Sequence, residues 1–118
     1  MYSYRNHIRG IVDEFVSNSM KAKASKIDVS IEVLDDFVTI SAKDNGIGIP
    51  PEKLEELEEQ LMQPRRYELE EYYGSLAGDS SMGRGLTLVG MITDDASIKS
   101  TPGVGTEIKV ALKLNSSR

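Results

Sequence analysis

Four sets of residues in this 118-residue chain have types and spacings that could do chemistry. The first is Glu14, Asn18 and Lys21. At about 100° per residue they fall within a sector of roughly 60° on one side of a helix, while Ile8, Ile11, Phe15 and Ser19 point to the other. A carboxylate there can take a proton from water, an amide oxygen can ligate a hard cation such as Mg²⁺, and an ammonium can neutralise phosphate oxygens. On a helix facing water, the same triplet is only a solvated face. The second set is Asp44-Asn45-Gly46-Ile47-Gly48-Ile49-Pro50. Asp44 shares the parity of Val38, Ile40 and Ala42, so its carboxylate is aimed at the core and needs a donor. Gly46 and Gly48 let another group approach the backbone; an Asp capping its own glycine turn would read the same way.

The third set is Gly78-Asp79-Ser80-Ser81-Met82-Gly83-Arg84-Gly85-Leu86, a glycine-rich stretch opening a helix. Bare N–H groups at a helix start make an anion site. The stretch is not a Walker A loop, because Arg84 and Gly85 stand where Lys and Ser/Thr are required and no strand leads into it. A loop followed by an ordinary helix start is the plain alternative. The fourth set is Gly103-Val104-Gly105-Thr106. Thr106 shares parity with Ile108, Val110 and Leu112, so its hydroxyl is also aimed inward, where threonines usually bond local backbone.

These residues need elements to position them. Ile8, Ile11, Val12, Phe15, Val16 and Met20 recur at helical spacing and predict a first helix over about residues 4–24. Ile27, Val29, Ile31 and Val33 alternate with polar residues, as do Val38, Ile40 and Ala42, which predicts a half-buried hairpin turning at Asp35-Asp36. Residues 52–63 predict an amphipathic helix with Leu54, Leu57 and Leu61 inward. Glu68 to Glu71 could form another short helix, 74–81 a mobile loop, and 86–93 a short apolar helix. Two strands, near 96–100 and 106–114, flank the turn at Thr101-Pro102-Gly103. Two or three helices and four strands with antiparallel signals give an α+β two-layer α/β sandwich.

The chain is 39% apolar, which suits a single domain over residues 1–118 that buries about two-thirds of its surface. The absence of cysteine and the single histidine exclude a disulfide framework, a thiolate metal site and a histidine zinc cluster. Nineteen acidic against fourteen basic residues give a net charge of -5. That balance argues against charge-driven binding to nucleic acid or anionic lipid, though not against a small anion held locally. No run reaches the length of a membrane span, and the first residues lack the apolar core of a signal peptide. The expectation is a soluble, cytoplasmic domain.

Together and in order, Glu14-x-x-x-Asn18, Asp44-x-Gly46-x-Gly48, Gly83-x-Gly85-Leu86 and Gly103-x-Gly105-Thr106 resemble the GHKL ATP-binding family of DNA gyrase, the large heat-shock chaperone, histidine kinases and MutL. The resemblance covers about residues 8–114. It implies a Bergerat-type fold, with a mixed, mostly antiparallel sheet covered by helices on one face, and ATP and Mg²⁺ as cofactors. Carried over residue by residue, Asp44 would accept from the adenine amino group, helped by Thr106 and an ordered water. Gly46 would belong to the same binding loop, and Gly48 would let the base approach the chain. Asn18 would hold Mg²⁺ between the phosphates, backbone amides around Gly83, Arg84, Gly85 and Leu86 would cradle them, and Lys21 fits a phosphate-touching lysine of histidine kinases. Glu14 sits where hydrolysing members keep the base that activates water. Residues 52–82 would form a flexible lid, with Arg65, Arg66 and Arg84 as phosphate contacts that the motif does not fix.

The chain also departs from the family's patterns. His7 does not match a phosphoacceptor motif and is read as structural; the paired-Phe lid motif is absent, since Phe15 and Phe37 are the only phenylalanines. Strand preceding the first helix is reduced to at most residues 2–4. Ala22 and Lys26-Ile27-Asp28-Val29 look more like MutL. Two functions stay open beside a degenerate member that binds nothing. One is an enzyme that transfers phosphoryl from ATP to a protein, in signalling, or to water. The other is a non-catalytic, ATP-gated, anti-sigma-like module whose surface for a protein partner changes with nucleotide, with a MutL-like ATPase fragment as a further alternative. The partners implied are ATP and a protein or phosphoacceptor, and a homodimer is compatible with both.

Overall fold

A computed structural model describes residues 4–62, 65 and 82–114 of the chain. Helix α1, Tyr4–Lys21, forms where Ile11 and Phe15 recur on one side, with Ile8 and Val12 beside them and no proline to interrupt. It closes through Lys23, whose φ of 62° is left-handed, and the Ala24 N–H returns to the Ser19 carbonyl at 3.1 Å. This helix ending usually employs glycine, because a Cβ is strained there.

Strands β1, Ile27–Leu34, and β2, Phe37–Asp44, form an antiparallel hairpin over Asp35 and Asp36. A second hairpin joins β3, Asp95–Thr101, to β4, Gly105–Lys113, and the sheet order is β1-β2-β4-β3. Every pairing among the described strands is antiparallel, so the mixed sheet expected from the resemblance has no parallel pair among them. At one end of the sheet Ile27, Asp44, Thr106 and Ser100 stand in a single row across all four strands.

One face of the sheet carries the core. Val38, Ile40 and Ala42 in β2 and Ile108, Val110 and Leu112 in β4 are buried, while Lys43 and Lys109, on the other face, are exposed. Burying each of the larger side chains contributes about 1.5–3 kcal/mol. On β1 the expected half-burial fails: Val29, Ile31 and Val33 pair with the core row of β2 yet remain exposed. Alternation sets which face a residue takes; cover comes from the opposing layer, which lies over β2 and stops short of this edge strand.

Helix α2, Pro51–Leu61, starts with proline in its first turn and carries Glu52 near its positive end. Leu57 and Leu61 are fully inside the core. Residues 52–61, read from the sequence as the start of the lid, belong to α2 and pack in the helical layer. Of the rest of that expected lid, Met62, Arg65 and the backbone of Met82 are described, while Arg66, the short helix at 68–71 and the loop at 74–81 lie outside the described residues. Helix α3, Met82–Met91, begins four residues before the expected start. Among the described residues, no helix is long and apolar enough to cross a membrane.

Candidate functional site

The polar face of α1 is not solvated. Glu14 is 3% and Asn18 6% exposed, because this side of the helix faces the start of α3. The nearest approach is at Gly85, where an added Cβ would fall on the Glu14 carboxylate. Among the described residues, Glu14 Oε2 and both polar atoms of the Asn18 amide have no hydrogen-bond partner. Each such group costs about 1–3 kcal/mol when left unmade, so native folds keep few of them. Burial pushes the Glu14 carboxyl above its ordinary value, and the positive charge of Lys21 pulls partly back. Lys21 itself is exposed at the end of the helix.

Asp44 is half-buried at the end of β2, on the core face as its parity predicts. Its inward carboxylate finds the donor that position demands: Ser19 Oγ donates to Oδ2 at 2.6 Å. The Gly46 N–H donates to Oδ1 at 2.8 Å, so the self-capping turn is present as well. Thr106 is buried beside Asp44 in the row, and its Oγ1 lies 2.8 Å from Ser100 Oγ. Ser100 Oγ accepts the Ile49 N–H at 2.8 Å, which ties the glycine loop to β3. The Asn45 side chain holds the loop from the other direction, accepting the Ser25 and Lys26 N–H groups at 2.9 and 3.0 Å.

The glycines of the loop serve neighbours within the protein. Gly48 has φ of 80°, and a Cβ there would lie 2.5 Å from the Thr101 carbonyl oxygen. The group that approaches it is the β3–β4 turn, which also donates from the Gly103 N–H to the Ile47 carbonyl at 2.7 Å. Gly46 lies against Ala22. In α3, Gly83, Arg84 and Gly85 fall in the first turn, whose N–H groups have no partner within the helix. Leu86 is buried in the core.

A narrow cleft of about 20 Å³ joins these parts; it is lined by Asn18 and Ser19 from α1, Asp44 from β2, Leu86 from α3 and Thr106 from β4. A larger hollow of about 420 Å³ at the strand ends shares Asp44, Ser100 and Thr106 but is otherwise lined by residues such as Lys43, Lys99 and Glu107. The narrow cleft is the candidate site, because it also meets α1 and α3 and is lined by the unpartnered Asn18. Arg65, expected as a phosphate contact, is at the opposite end of the sheet. Its Nη1 lies 2.8 Å from both Asp94 Oδ2 and the Lys113 carbonyl oxygen.

Ser19, Ser100 and Asn45 were not singled out by sequence reasoning. Ser19 carried a signal, as a polar residue on the apolar side of α1 next to an inward Asp that needed a donor. Ser100 showed none, since its place opposite Thr106 depends on the register of the second hairpin.

A one-faced antiparallel sheet, with an inward Asp at a strand end and a helix start facing Glu14, defines an ATP-binding domain of the Bergerat type. The chain belongs to the histidine kinase-, DNA gyrase B-, and HSP90-like ATPase family, whose pattern matches residues 3–116. It is similar to the histidine protein kinase SaeS of Staphylococcus epidermidis, 30% identical over 118 residues, 95% of this chain and 32% of the kinase. It is also similar to the anti-sigma F factor of Pasteuria penetrans, 29% identical over 117 residues, 94% of this chain and 69% of that protein. The anti-sigma F factor of Bacillus licheniformis is 29% identical over 116 residues, covering 94% and 70%. The chain spans about a third of the length of the kinase and about seven-tenths of the anti-sigma factors.

Proposed function

We propose that the cleft binds ATP with Mg²⁺ and that the protein uses it for phosphoryl transfer in signalling, to a protein or to water, in the cytoplasm. One observation carries the reading: the buried, unpartnered Glu14 Oε2 and Asn18 amide beside the first turn of α3. Asn18 Oδ1 suits a hard cation that takes oxygen ligands. Among the described residues no group of three or more His, Asp or Glu gathers to hold a metal, so phosphate oxygens and water would complete the shell. When bound, Mg²⁺ supplies neutralisation of phosphate charge.

The chain's own residues have separate tasks. The first-turn N–H groups of α3 face the phosphates with the positive end of a helix, and Lys21 adds a cation at the rim. Asp44 accepts from the amino group of the base, with the Thr106 hydroxyl beside it. Glu14, in dry surroundings that raise its proton affinity, holds the proton of the attacking hydroxyl or water. A cleft of about 20 Å³ has room for about one water, so a purine enters only as the cleft widens.

The kinase relative supports transfer to a protein. The anti-sigma F relatives support a second reading, in which nucleotide gates a surface that holds a protein partner. Titration with ATP, with and without Mg²⁺, followed by incubation with labelled ATP, tests the proposal. Binding, with label passing to protein or to free phosphate, is the expected result; no ATP binding overturns it. Binding without turnover, unchanged in Glu14→Ala, favours the second reading.

A further inference from the structure

The Asp44 carboxylate is held at both oxygens. Gly46 N–H donates to Oδ1 at 2.8 Å and Ser19 Oγ donates to Oδ2 at 2.6 Å. The two restraints differ in kind. The Gly46 bond is local, spanning two residues, and would form in almost any turn of this sequence. The Ser19 bond crosses 25 positions and joins α1 to the sheet. Ser19 is 4% exposed, and its hydroxyl hydrogen, the only one it has, is committed to Asp44.

The terminal torsion of an aspartate is broad and two-fold, so one local bond leaves the carboxylate plane free to swing. A second bond, on the other oxygen, fixes the plane. A carboxylate has about four lone-pair sites and no hydrogen to give. Two are used here, and the remainder are acceptors held at a set angle in the lining of the cleft, which Thr106 shares. Such an edge matches a donor. It repels a group that brings its own lone pairs, and Ser19 cannot rescue that group because its hydrogen is already spent.

We propose that Ser19 is a positioning residue: by pinning Asp44 it makes the cleft discriminate a 6-amino purine from a 6-oxo purine. The inference rests on the ATP reading above and adds to it the residue that sharpens base choice. Ser19 touches no nucleotide in this account and acts only through Asp44. Freed of Ser19, the carboxylate swings, meets the 6-amino group less well and repels the 6-oxo group less.

The experiment is calorimetric titration of the whole chain with ATP and with inosine triphosphate, which differ at the 6-position and the adjoining ring N–H. Wild type, Ser19→Ala and Asp44→Asn are compared, each first shown to be folded by circular dichroism. Alanine fits the helix and leaves no clash, so Ser19→Ala keeps the comparison available. Wild type prefers ATP, and Ser19→Ala loses about tenfold in that preference, the size of one hydrogen bond's net contribution. Asp44→Asn, which replaces one of the two acceptor oxygens by a donor, also reduces the preference. If Ser19→Ala weakens both nucleotides equally, or changes neither, Ser19 has only a packing role and the inference is overturned while the ATP reading stands. If wild type binds neither nucleotide, the reading beneath it fails.

Discussion

Among the described residues, the charged side chains of Arg65 and Glu14 are almost fully buried, and they are treated in opposite ways. Arg65 has a side chain 4% exposed, with Nη1 within 2.8 Å of both Asp94 Oδ2 and the Lys113 carbonyl. Glu14 is 3% exposed, and its Oε2 has no hydrogen-bond partner among the described residues. The first arrangement closes on itself and ties the ends of β3 and β4 to the chain that follows α2. The second is left open toward the start of α3. Satisfied burial of charge is architecture. Unsatisfied burial of charge costs stability, and a fold keeps it where a ligand completes the shell.

That contrast can be broken at either cluster. Arg65→Ala leaves the exposed Asp94 without its cation and is expected to lower stability by about 3 kcal/mol, since it removes a nearly buried side chain together with its hydrogen bonds to a charged group and to a carbonyl. Urea denaturation measures the loss, and ATP affinity of the folded protein stays unchanged. Gly85→Ala places a Cβ on the Glu14 carboxylate. It is expected to lose about 2 kcal/mol through overpacking and, unlike Arg65→Ala, to weaken ATP binding as well, read by the same denaturation and by titration.

Glu14→Gln sharpens the comparison because its sign is unusual. The carboxyl's proton affinity is raised in the fold, so the native state favours the protonated form and loses stability as pH rises through the raised value. Replacing Glu14 with a neutral amide is therefore expected to stabilise the protein at neutral pH, read as a higher melting temperature. Wild type and variant converge below pH 4.5, the ordinary value for the group. Thermal melts across pH check this, and a variant less stable at pH 7 contradicts it. ATP turnover falls in the same variant. The smallest expected effect is at Lys23, whose left-handed φ of 62° strains a residue with a Cβ. Lys23→Gly gains about 0.5 kcal/mol without touching the site.

Much of this was legible in the residues, and the failures share a cause. Alternation placed Asp44 and Thr106 on the inner face, and periodicity put Ile11 and Phe15 against the sheet, because these depend on local geometry alone. The sequence did not show that Glu14 and Asn18 are buried. That follows from α3 crossing α1 at Gly85, a contact between segments some seventy positions apart. The exposure of β1 was missed for the same reason, since periodicity cannot say how far a second layer extends. Arg65 was misjudged because charge suggested phosphate, whereas the partner was a carboxylate brought in by β3.

The claim that Asn18 and Asp44 serve the two ends of one nucleotide cleft is tested most directly by titrating ATP against wild type and Asn18→Ala, with Mg²⁺ and without it. Mg²⁺ is expected to tighten ATP binding to the wild type by about tenfold or more, worth about 1.4 kcal/mol, and Asn18→Ala to lose that gain while its metal-free affinity persists. Equal gains from Mg²⁺ in both proteins would contradict the account.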